Sequence, residues 1–500
     1  MKILLANPPC RIDLGNGKER FFVRAGSRWP FSVVKDYNCK QSYVPFPFYL
    51  AYTAALLEKG GHDIFVIDAI PLNMTKKEFV EKTIEYDPDV ILFETSTPTF
   101  NYDIQLVDEL KKIKNFTIVL TGSHVTTYPE ESLKKCKNID YIFKNEYELN
   151  FNEFIKAFSE GKSLDKIPGI GFRKGNKFII NETEPTPLEK LPIPARQYFP
   201  TNDYFNLSLY REGVCLSDPS MIMHISRGCP FRCDFCLWIQ VMYKDSGHRT
   251  FPLDHIFNEI EDAMVRFGIR AIYFDDDIFT GNKKFVLEFC EEMKKRKLGI
   301  EWSVMGDAMI GDEELIAAMA DAGCVGYKFG VESGNEEVLK NIQKPIRFEK
   351  VKKMAAACAK HGIKSHATFS FGLSGDTMKS MRDTLKFACE LDVDSVQFSI
   401  STPFPGTRYY KKLEESNRLL TKDWNAFDGG STSVVKDSET LTHKEIEDFY
   451  SKAGSRWLKY KLKDLKWVWR QLKYLNKLRV GQGNYMALNK LKRGLELITT

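Results

Sequence analysis

Short apolar runs alternate with helix-like stretches twice along this 500-residue chain, and this alternation limits the possible folds more than any other feature. The first block has four such runs, at residues 2–6, 64–67, 89–94 and 117–120. In the second block, from Ser220 onward, a strand followed by a helix recurs six times. Strands that alternate with helices favour parallel sheets covered on both faces. The sequence therefore predicts an α/β protein, and its length suggests two or three domains.

The first block predicts a doubly wound, Rossmann-like parallel sheet over residues 1–150. Ligands of such sheets bind beyond the carboxyl ends of the strands. Glycine and small hydroxyl side chains at those ends leave room for a large ligand and supply hydrogen bonds. The candidate binding residues there are Asn7, Pro8, Thr95, Ser96, Gly122, Ser123 and His124.

The rest of the chain divides into three predicted parts. Residues 151–214 are interpreted as a linker that contains a β-hairpin (169–173 with 177–180) and a proline-rich connector. Residues 215–410 are predicted to form a partial (β/α)6 barrel, whose active face collects the loops after each strand. Residues 411–500 are predicted to be helical and basic.

Three cysteines at C-x3-C-x2-C spacing follow the first strand of the second block: Cys229, Cys233 and Cys236. A [4Fe–4S] cluster held wholly by cysteine takes four thiolates, so three leave one iron open. Cys233-x-x-Cys236 alone also suits a redox pair or half of a zinc site. No second C-x-x-C and no paired histidines follow, which favours the cluster.

With Ser226-Arg227-Gly228 before it and Leu237-Trp238 after it, the trio resembles the radical S-adenosylmethionine superfamily. The resemblance implies that S-adenosylmethionine chelates the open iron through its amino and carboxylate groups. Reductive cleavage there gives methionine and a 5′-deoxyadenosyl radical. It also implies a reducing partner of the flavodoxin or ferredoxin type.

Other loops of the second block resemble the same superfamily. The resemblance implies that Asp275 and Asp276 meet the methionine amine, and that Glu332 and Ser333 lie near the ribose and amino acid moiety. Gly372 and Gly375 are expected to shape the adenine pocket. Relatives often carry an arginine where Gly306 stands, which implies a changed substrate or carboxylate pocket. These candidate residues are Asp275, Asp276, Glu332, Ser333, Gly372 and Gly375.

Residues 1–150 resemble the cobalamin-binding domain that precedes the barrel in a large class of these enzymes. The resemblance is carried by Asn7-Pro8-Pro9, by Gly122-Ser123-His124 and by Glu146 with Glu148. Ser123 and Asn145 depart from it, since the family usually has glycine at both positions. The Asp-x-His-x-x-Gly signature is absent, so no histidine is expected as a lower axial ligand. His124 is either part of the binding site or a turn histidine that caps a neighbouring carbonyl. The domain either binds cobalamin or serves only in packing.

The resemblance implies a cobalamin-dependent radical enzyme that C-methylates an unactivated carbon of a small-molecule or lipid-like substrate. Neither hydrogen abstraction nor methyl transfer requires a protein nucleophile, so no catalytic residue is assigned. Radical cyclisation and carbon-skeleton rearrangement are alternatives, because relatives with this architecture perform them. A tRNA methylthiotransferase is a less favoured alternative, because it is expected to have a second cysteine trio in the first domain. The cysteines there, Cys10, Cys39 and Cys136, are far apart in the sequence. The non-enzyme alternative is a cobalamin or redox sensor.

The end of the chain is strongly basic. The segment from Arg456 to Arg493 contains twelve Lys and Arg residues and one acidic residue, Asp464. An apolar stripe recurs every three or four residues at Leu458, Leu462, Leu465, Trp469, Leu472 and Leu475. Such a helix either lies on an anionic membrane surface or packs on the barrel with its basic face in water. Nucleic-acid binding is less favoured, because no RNA-binding module accompanies the helix.

The scattered, odd-numbered cysteines and the lack of an eighteen-residue apolar run favour a cytoplasmic protein. The basic helix adds the alternative of a peripheral position at the inner face of the membrane.

Overall fold

The computed structural model describes residues 1–23, 31–36, 44–201, 217–429, 432–435, 440–482 and residue 488. It contains two α/β units in chain order, followed by helices. The mixed α/β architecture predicted from the alternation of strands and helices is therefore confirmed.

The first unit is built on one seven-stranded sheet with a small antiparallel sheet beside it. Its strands are β1 (Lys2–Asn7), β2 (Arg11–Gly15), β3 (Lys18–Val23), β4 (Phe31–Asp36), β5 (Asp63–Asp68), β6 (Val90–Thr95), β7 (Thr117–Gly122), β8 (Tyr141–Phe143), β9 (Ile170–Lys174) and β10 (Lys177–Ile180). Its helices are α1 (Phe48–Lys59), α2 (Lys76–Tyr86), α3 (Phe100–Ile113), α4 (Ser123–Thr127), α5 (Pro129–Lys135) and α6 (Glu148–Ser159).

Five strands of the large sheet are parallel, in the spatial order β5-β1-β6-β7-β8. This is the flavodoxin-like order, whose direction reverses between β1 and β6. Ligands of such sheets bind in the crevice beyond the carboxyl ends of the strands at that reversal. Asn7 ends β1 and Thr95 ends β6, so these two residues flank the crevice.

The predicted hairpin forms from β9 and β10, but it is also part of the first sheet. Residues 170–172 of β9 pair antiparallel with β8 and extend the sheet by two strands. The three-stranded sheet of β2, β3 and β4 was not foreseen. Its first strand has only two apolar residues, Ile12 and Leu14, too few to stand out as a pattern.

The second unit is an open sheet of six parallel strands, with β11 and β18 at its edges. Its strands, with the short pair β12 and β13, are β11 (Ser220–Met223), β12 (Ser226–Arg227), β13 (Arg249–Thr250), β14 (Ala271–Phe274), β15 (Glu301–Gly306), β16 (Cys324–Glu332), β17 (Lys364–Phe371) and β18 (Ser395–Ile400). Its helices are α7 (Leu253–Phe267), α8 (Lys283–Arg296), α9 (Glu313–Asp321), α10 (Glu336–Asn341), α11 (Phe348–Lys360), α12 (Met378–Glu390) and α13 (Arg408–Glu415).

Helix α1 packs between the two units. It is apolar nearly all round, as expected of a helix that has no face in water. Phe48 stacks on His224 with ring centroids 3.8 Å apart, and Tyr52 stacks on Phe251 at 5.8 Å. The hydrophobic core is consequently continuous from the first sheet into the barrel.

The basic tail forms two helices, α14 (His443–Lys461) and α15 (Leu465–Gln482). Trp457 Nε1 donates to the Ala388 carbonyl (3.0 Å), and Trp467 Nε1 donates to the Val393 carbonyl (3.1 Å). Ile446 near the start of α14 packs against Phe371 and Ile400 at the carboxyl ends of β17 and β18. Helix α14 therefore runs along the last barrel strands, and α15 lies at their amino ends.

Leu458, the first residue of the predicted apolar stripe, is buried, but on α15 the stripe is not the face that packs. Leu465, Trp469 and Leu472 are 82%, 57% and 58% exposed, whereas Trp467 and Leu478 are buried. Helix α14 ends at Lys461, and Asp464 accepts hydrogen bonds from the amides of Lys466 and Trp467 in the first turn of α15. Residues 483–487 and 489–500 of the predicted tail lie outside the described residues. No described helix is both long and apolar enough to cross a membrane.

Candidate active site

The cysteine loop leaves the barrel after β12 and is tied down at both ends. A Cβ on Gly228 would lie 1.8 Å from the Gly247 carbonyl oxygen, and its φ of +89° also favours glycine. Farther along, Gln240 Nε2 donates to the carbonyls of Cys233 (3.2 Å), Asp234 (3.0 Å) and Cys236 (2.8 Å). The side-chain amide of Gln240 thus holds together the backbone carbonyls around Cys233 and Cys236.

The three thiols lie close enough to influence one another electrostatically. Burial raises the pKa of Cys229 to about 12 and that of Cys233 to about 11, and it raises the pKa of Cys236 as well. Buried thiols of this kind ionise when a metal neutralises them. Within the described ranges, no three His, Cys, Asp or Glu residues converge on one point as ligands of a single ion. A trio whose sulfurs bind three separate irons needs no such convergence.

Asp275, Asp276 and Asp277 follow β14, and the last two accept hydrogen bonds from residues just before the cysteines. Asp276 Oδ1 accepts from the Ser226 hydroxyl (2.5 Å) and from the Ile225 amide (3.1 Å), and Asp277 Oδ2 accepts from the Gly228 amide (2.9 Å). Burial raises the pKa of Asp276 to about 7. Asp276, expected from the resemblance to meet the methionine amine, therefore faces the backbone before the cysteines. Asp275 instead lines a small cavity together with Phe48, Tyr49, His224, Trp238, Tyr243 and Asp277.

Glu332 ends β16 with a φ of +69°. Its Oε2 accepts from the Ser370 hydroxyl (3.2 Å), and burial raises its pKa. A Cβ on Gly330 would lie 2.2 Å from Glu332 Oε1, so glycine is required for the carboxylate to fold back over the strand. Glu332 is thus held at the mouth of the barrel.

Ser333, Gly372 and Gly375 lie against helices around the mouth. The hydroxyl of Ser333 is 3.1 Å from that of Thr384 on α12. A Cβ on Gly372 would face Ile446 of α14, and one on Gly375 would lie 2.3 Å from Asn341 Nδ2. Ser333 thus contacts α12, and the two glycines pack against α14 and α10 at the turns around the mouth.

A lysine that the sequence analysis did not single out lies at the same mouth. Lys344 Nζ is 3.8 Å from Glu332 Oε1, and its side chain is 12% exposed. The charges of Cys233, Glu332 and Asp307 raise its pKa against the opposing effect of burial. Nothing in the local sequence distinguishes it from the exposed Lys340 of α10, because its low exposure arises where the turn after α10 meets the cysteine loop.

A buried ion network joins this loop to the first unit. Arg227 Nη1 donates to Glu146 Oε1 (2.8 Å), and Arg227 Nη2 donates to Glu148 Oε1 (2.6 Å). Arg249 Nη2 donates to Glu146 Oε2 (2.9 Å). The Arg227 guanidinium also lies 4.6 Å from the ring centroid of Tyr49 on α1. The residues that follow β8 are thereby fixed to the strand that leads into Cys229.

Asn145 adds a second link at the same place. It adopts a φ of +58° where the family usually has glycine, and its Nδ2 donates to the Val241 carbonyl (2.6 Å). Its amide donates to Thr126 Oγ1 (2.9 Å). The departure from glycine therefore supplies a side-chain hydrogen bond between the two units.

At the carboxyl edge of the first sheet, the predicted residues do come together. Gly122 has a φ of +107°, and a Cβ there would be 2.1 Å from the Thr95 carbonyl oxygen. Thr95 Oγ1 donates to Asp103 (2.5 Å), and Ser96 Oγ lies 3.0 Å from Thr99 Oγ1. Asn7 Nδ2 donates to Asp68, whereas its buried Oδ1 accepts no hydrogen bond from a described residue. Pro8 and Ser123 are buried beside them.

His124 is enclosed by aromatic rings. It stacks on Phe100 with centroids 4.0 Å apart and meets Trp424 edge-on at 5.6 Å. Its Nδ1 is 3.4 Å from Thr97 Oγ1, and burial lowers its pKa to about 3. The imidazole is thus neutral and packed against the segment that covers this edge.

The two sites fit the groups predicted for them. Three thiols on one pinned loop, with Cys233 buried and Cys229 and Cys236 partly buried, suit a cluster with an open iron. The close approach of Gly122 to Thr95, together with the unsatisfied Asn7 Oδ1, suits a large polar ligand at the crevice beside β1.

Comparison with known proteins identifies both units. Residues 223–388 match the Radical SAM superfamily, and residues 39–155 match the B12 binding domain. An uncharacterised methyltransferase of Pyrococcus horikoshii is 31% identical over 81% of this chain and 86% of its own length. An anaerobic magnesium-protoporphyrin IX monomethyl ester cyclase of Rubrivivax gelatinosus is 24% identical over 73% of this chain and 66% of its own.

A solved structure shares the fold. The radical S-adenosylmethionine methyltransferase TsrM of Kitasatospora setae, with cobalamin and a [4Fe–4S] cluster bound, superposes with a TM-score of 0.66 at 16% identity. The match covers 92% of this chain and 88% of that one. The cofactors of this chain are accordingly S-adenosylmethionine, a [4Fe–4S] cluster and cobalamin. The chain belongs to the radical S-adenosylmethionine enzymes that carry a B12-binding domain.

Proposed function

We propose that this enzyme transfers a methyl group to an unactivated carbon of a small-molecule substrate. The observation that carries the proposal is the buried network of Arg227, Glu146 and Glu148. It fixes the cysteine loop against the unit that carries the B12-binding domain. A radical formed at the loop and a methyl donor held by the first unit must meet one substrate, which requires a fixed separation. The methyltransferase relative supports the same reaction.

Each cofactor has its proposed residues. Cys229, Cys233 and Cys236 would hold the cluster, with S-adenosylmethionine between Asp275 and Glu332. Cobalamin would lie at the edge formed by Asn7, Pro8, Thr95, Ser96, Gly122, Ser123 and His124. When bound, the cluster and S-adenosylmethionine supply the radical that removes a hydrogen atom, and cobalamin supplies the methyl group.

The protein's own residues orient and shield this chemistry. Phe48, Tyr49, Trp238 and Tyr243 form the aromatic wall of the cavity beside Asp275. Such a wall excludes water from a radical. Hydrogen abstraction and methyl transfer require no protein nucleophile, so no catalytic residue is assigned.

The test is methyl transfer in an anaerobic extract of a strain that lacks this gene, with methyl-labelled S-adenosylmethionine, added cobalamin and a flavodoxin-type reductant. Label should appear in one accumulated metabolite with the wild-type enzyme and not with Cys229→Ala. Cys290→Ala is the matched control, because Cys290 is buried on α8 away from the loop. A product that forms without label would overturn methylation and favour cyclisation, the reaction in the name of the Rubrivivax relative.

We also propose that the tail contacts a membrane peripherally. Leu465, Trp469 and Leu472 form an exposed apolar face, and Lys473 Nζ lies 3.4 Å from the ring centroid of Trp469. Exposed apolar residues beside lysines suit an anionic lipid surface. This face is at the amino ends of the barrel strands, so such contact would hold the mouth away from the lipid.

A further inference from the structure

The last two strands of the barrel present a polar face to its interior. On β17, Phe369 lies 6.5 Å from Phe387 of α12, and Phe371 lies 5.0 Å from Phe449 of α14, both measured between ring centroids. These two phenylalanines therefore point outward, to the helices. Because side chains alternate between the faces of a strand, the residues at the intervening positions point into the barrel. Those inward residues of β17 are His366, Thr368 and Ser370.

The neighbouring strands extend this face. From the amino to the carboxyl end, the register of β17 and β18 pairs His366 with Ser395, Thr368 with Gln397 and Ser370 with Ser399. On the other side of β17, Lys328 of β16 pairs with His366. At the mouth, Ser370 Oγ lies 3.1 Å from Ser399 Oγ and donates to Glu332 Oε2 (3.2 Å). These seven residues, from Lys328 to Ser399, form a polar strip that ends beside Glu332.

The middle row of the strip is open to a ligand. In the row nearest the amino ends, His366 Nδ1 lies 2.8 Å from Ser395 Oγ. In the middle row, the side chains of Thr368 and Gln397 make no hydrogen bond with a described residue, and Gln397 is exposed. A hydroxyl and an amide that the fold leaves open on a concave face supply donors and acceptors for the polar groups of a ligand.

The strip is better suited to a polar molecule than to a hydrocarbon. A hydrocarbon on this face would remove water from Thr368 and Gln397 without replacing its hydrogen bonds, which costs free energy. Lys328 is the strip residue with a permanent positive charge, and an anionic group complements it. From Ser370 to His366 the strip covers four residues, about 13 Å at the rise of a β-strand. A metabolite of that length reaches from Lys328 to the mouth.

We infer that the substrate is a polar metabolite that carries an anionic group, a carboxylate or a phosphate, together with hydroxyl or amide groups; this assignment rests on the proposed function. The anionic group binds Lys328, and Thr368 and Gln397 hydrogen-bond the hydroxyl or amide groups. The end of the molecule with the carbon to be methylated then lies at the mouth beside Glu332. The strip thus selects the class of substrate and positions its reacting carbon.

The experiment measures binding separately from turnover. Reconstituted, anaerobic enzyme is mixed with the metabolite extract of a strain that lacks this gene, and compounds retained with the protein on ultrafiltration are identified by mass spectrometry. Wild type should retain a compound that stays in water when the extract is shaken with an organic solvent and that binds an anion exchanger. Its fragmentation distinguishes a carboxylate from a phosphate. The fraction retained at increasing enzyme concentration gives the affinity.

Two variants of the strip and two matched controls complete the test. Lys328→Met should weaken binding of the retained compound about 10- to 100-fold, and Gln397→Leu should weaken it about 10-fold. Lys353→Met on α11 and Gln105→Leu on α3 make the same changes at exposed positions outside the strip and should bind like wild type. Iron content and the urea midpoint of each preparation show that the protein compared is folded and loaded.

The inference is overturned if wild type retains no such compound, or retains one that partitions into the organic solvent. Equal affinity of both strip variants and wild type overturns it as well. A polar, anionic compound that depends on the strip but acquires no label from methyl-labelled S-adenosylmethionine would contradict the proposed methyl transfer and leave this inference standing. A labelled product found in the organic phase would support methyl transfer and contradict this inference.

Discussion

Arg227 Nη2 donates to Glu148 Oε1 over 2.6 Å, and this buried contact ties the strand before the cysteine loop to the first residue of α6. Both side chains are about 1% exposed or less. Two carboxylates and two arginines share the network, so each buried charge has a partner. Removal of one member would leave another charge buried without compensation.

Arg227→Met should therefore lower the free energy of unfolding by about 3–5 kcal/mol. The measurement is urea unfolding of the cofactor-free protein. Arg266→Met, which removes an exposed i,i+4 pair with Asp262, is the control and should cost about 0.5 kcal/mol or less. A loss in Arg227→Met no larger than in the control would show that the network does not hold the units together.

The environment of His124 predicts cobalamin without a histidine ligand on its lower face. Phe100 and Trp424 pack against the imidazole, and His124 Nδ1 lies next to Thr97. The paramagnetic resonance spectrum of the cobalt(II) state should lack nitrogen superhyperfine coupling and be the same in His124→Gln. Coupling that is present in wild type and lost in the variant would identify His124 as a ligand. Protein that stays free of corrinoid in cobalamin-replete cells would contradict cobalamin binding itself.

The pKa of Asp276, raised to about 7 chiefly by burial, predicts a pH dependence of stability. A carboxyl whose pKa is raised by folding stabilises the native state fully below its unfolded value near 3.9 and loses that contribution as pH rises through 7. The urea midpoint of cofactor-free protein should therefore fall between pH 5 and 7.5. Asp276→Asn should flatten this slope by roughly 1 kcal/mol per pH unit.

The control for that measurement is Asp321→Asn, at the exposed end of α9. It should keep the wild-type slope. An Asp276→Asn protein with the same slope as wild type would mean that the carboxyl is ionised throughout this pH range.

The exposed face of α15 predicts salt-sensitive binding to anionic vesicles. Each lysine or arginine close to an anionic surface contributes about 1 kcal/mol, and salt screens that attraction. A Trp469→Ser/Leu472→Ser variant should sediment with anionic vesicles less than wild type at low salt. Neither protein should sediment at high salt. Equal, negligible sedimentation of both at low salt would exclude the membrane contact.

The control for vesicle binding is Lys422→Ser, an exposed residue outside the tail that pairs with Glu414. It should sediment like wild type. A loss of binding as large as in the tail variant would show that the effect is not specific to α15.

The sequence determined the parts of this protein that depend on local pattern. Alternation of strands and helices predicted both parallel sheets, since each period follows from residues close in the chain. The cysteine spacing predicted a single loop that carries all three thiols, because spacing within eight residues is a local property. The short hairpin at β9 and β10 was predictable for the same reason.

Only the tertiary structure decided what those parts face. Asp276 binds the Ile225 amide and the Ser226 hydroxyl rather than facing the open mouth, and the side chain of Lys344 is only 12% exposed although Lys340 on α10 is exposed. The packed face of α15 carries Trp467 and Leu478 rather than the apolar stripe of Leu465, Trp469 and Leu472. Burial and pairing of these charges depend on residues dozens to hundreds of positions away. No local pattern encodes such contacts, since they arise only when separate elements pack together.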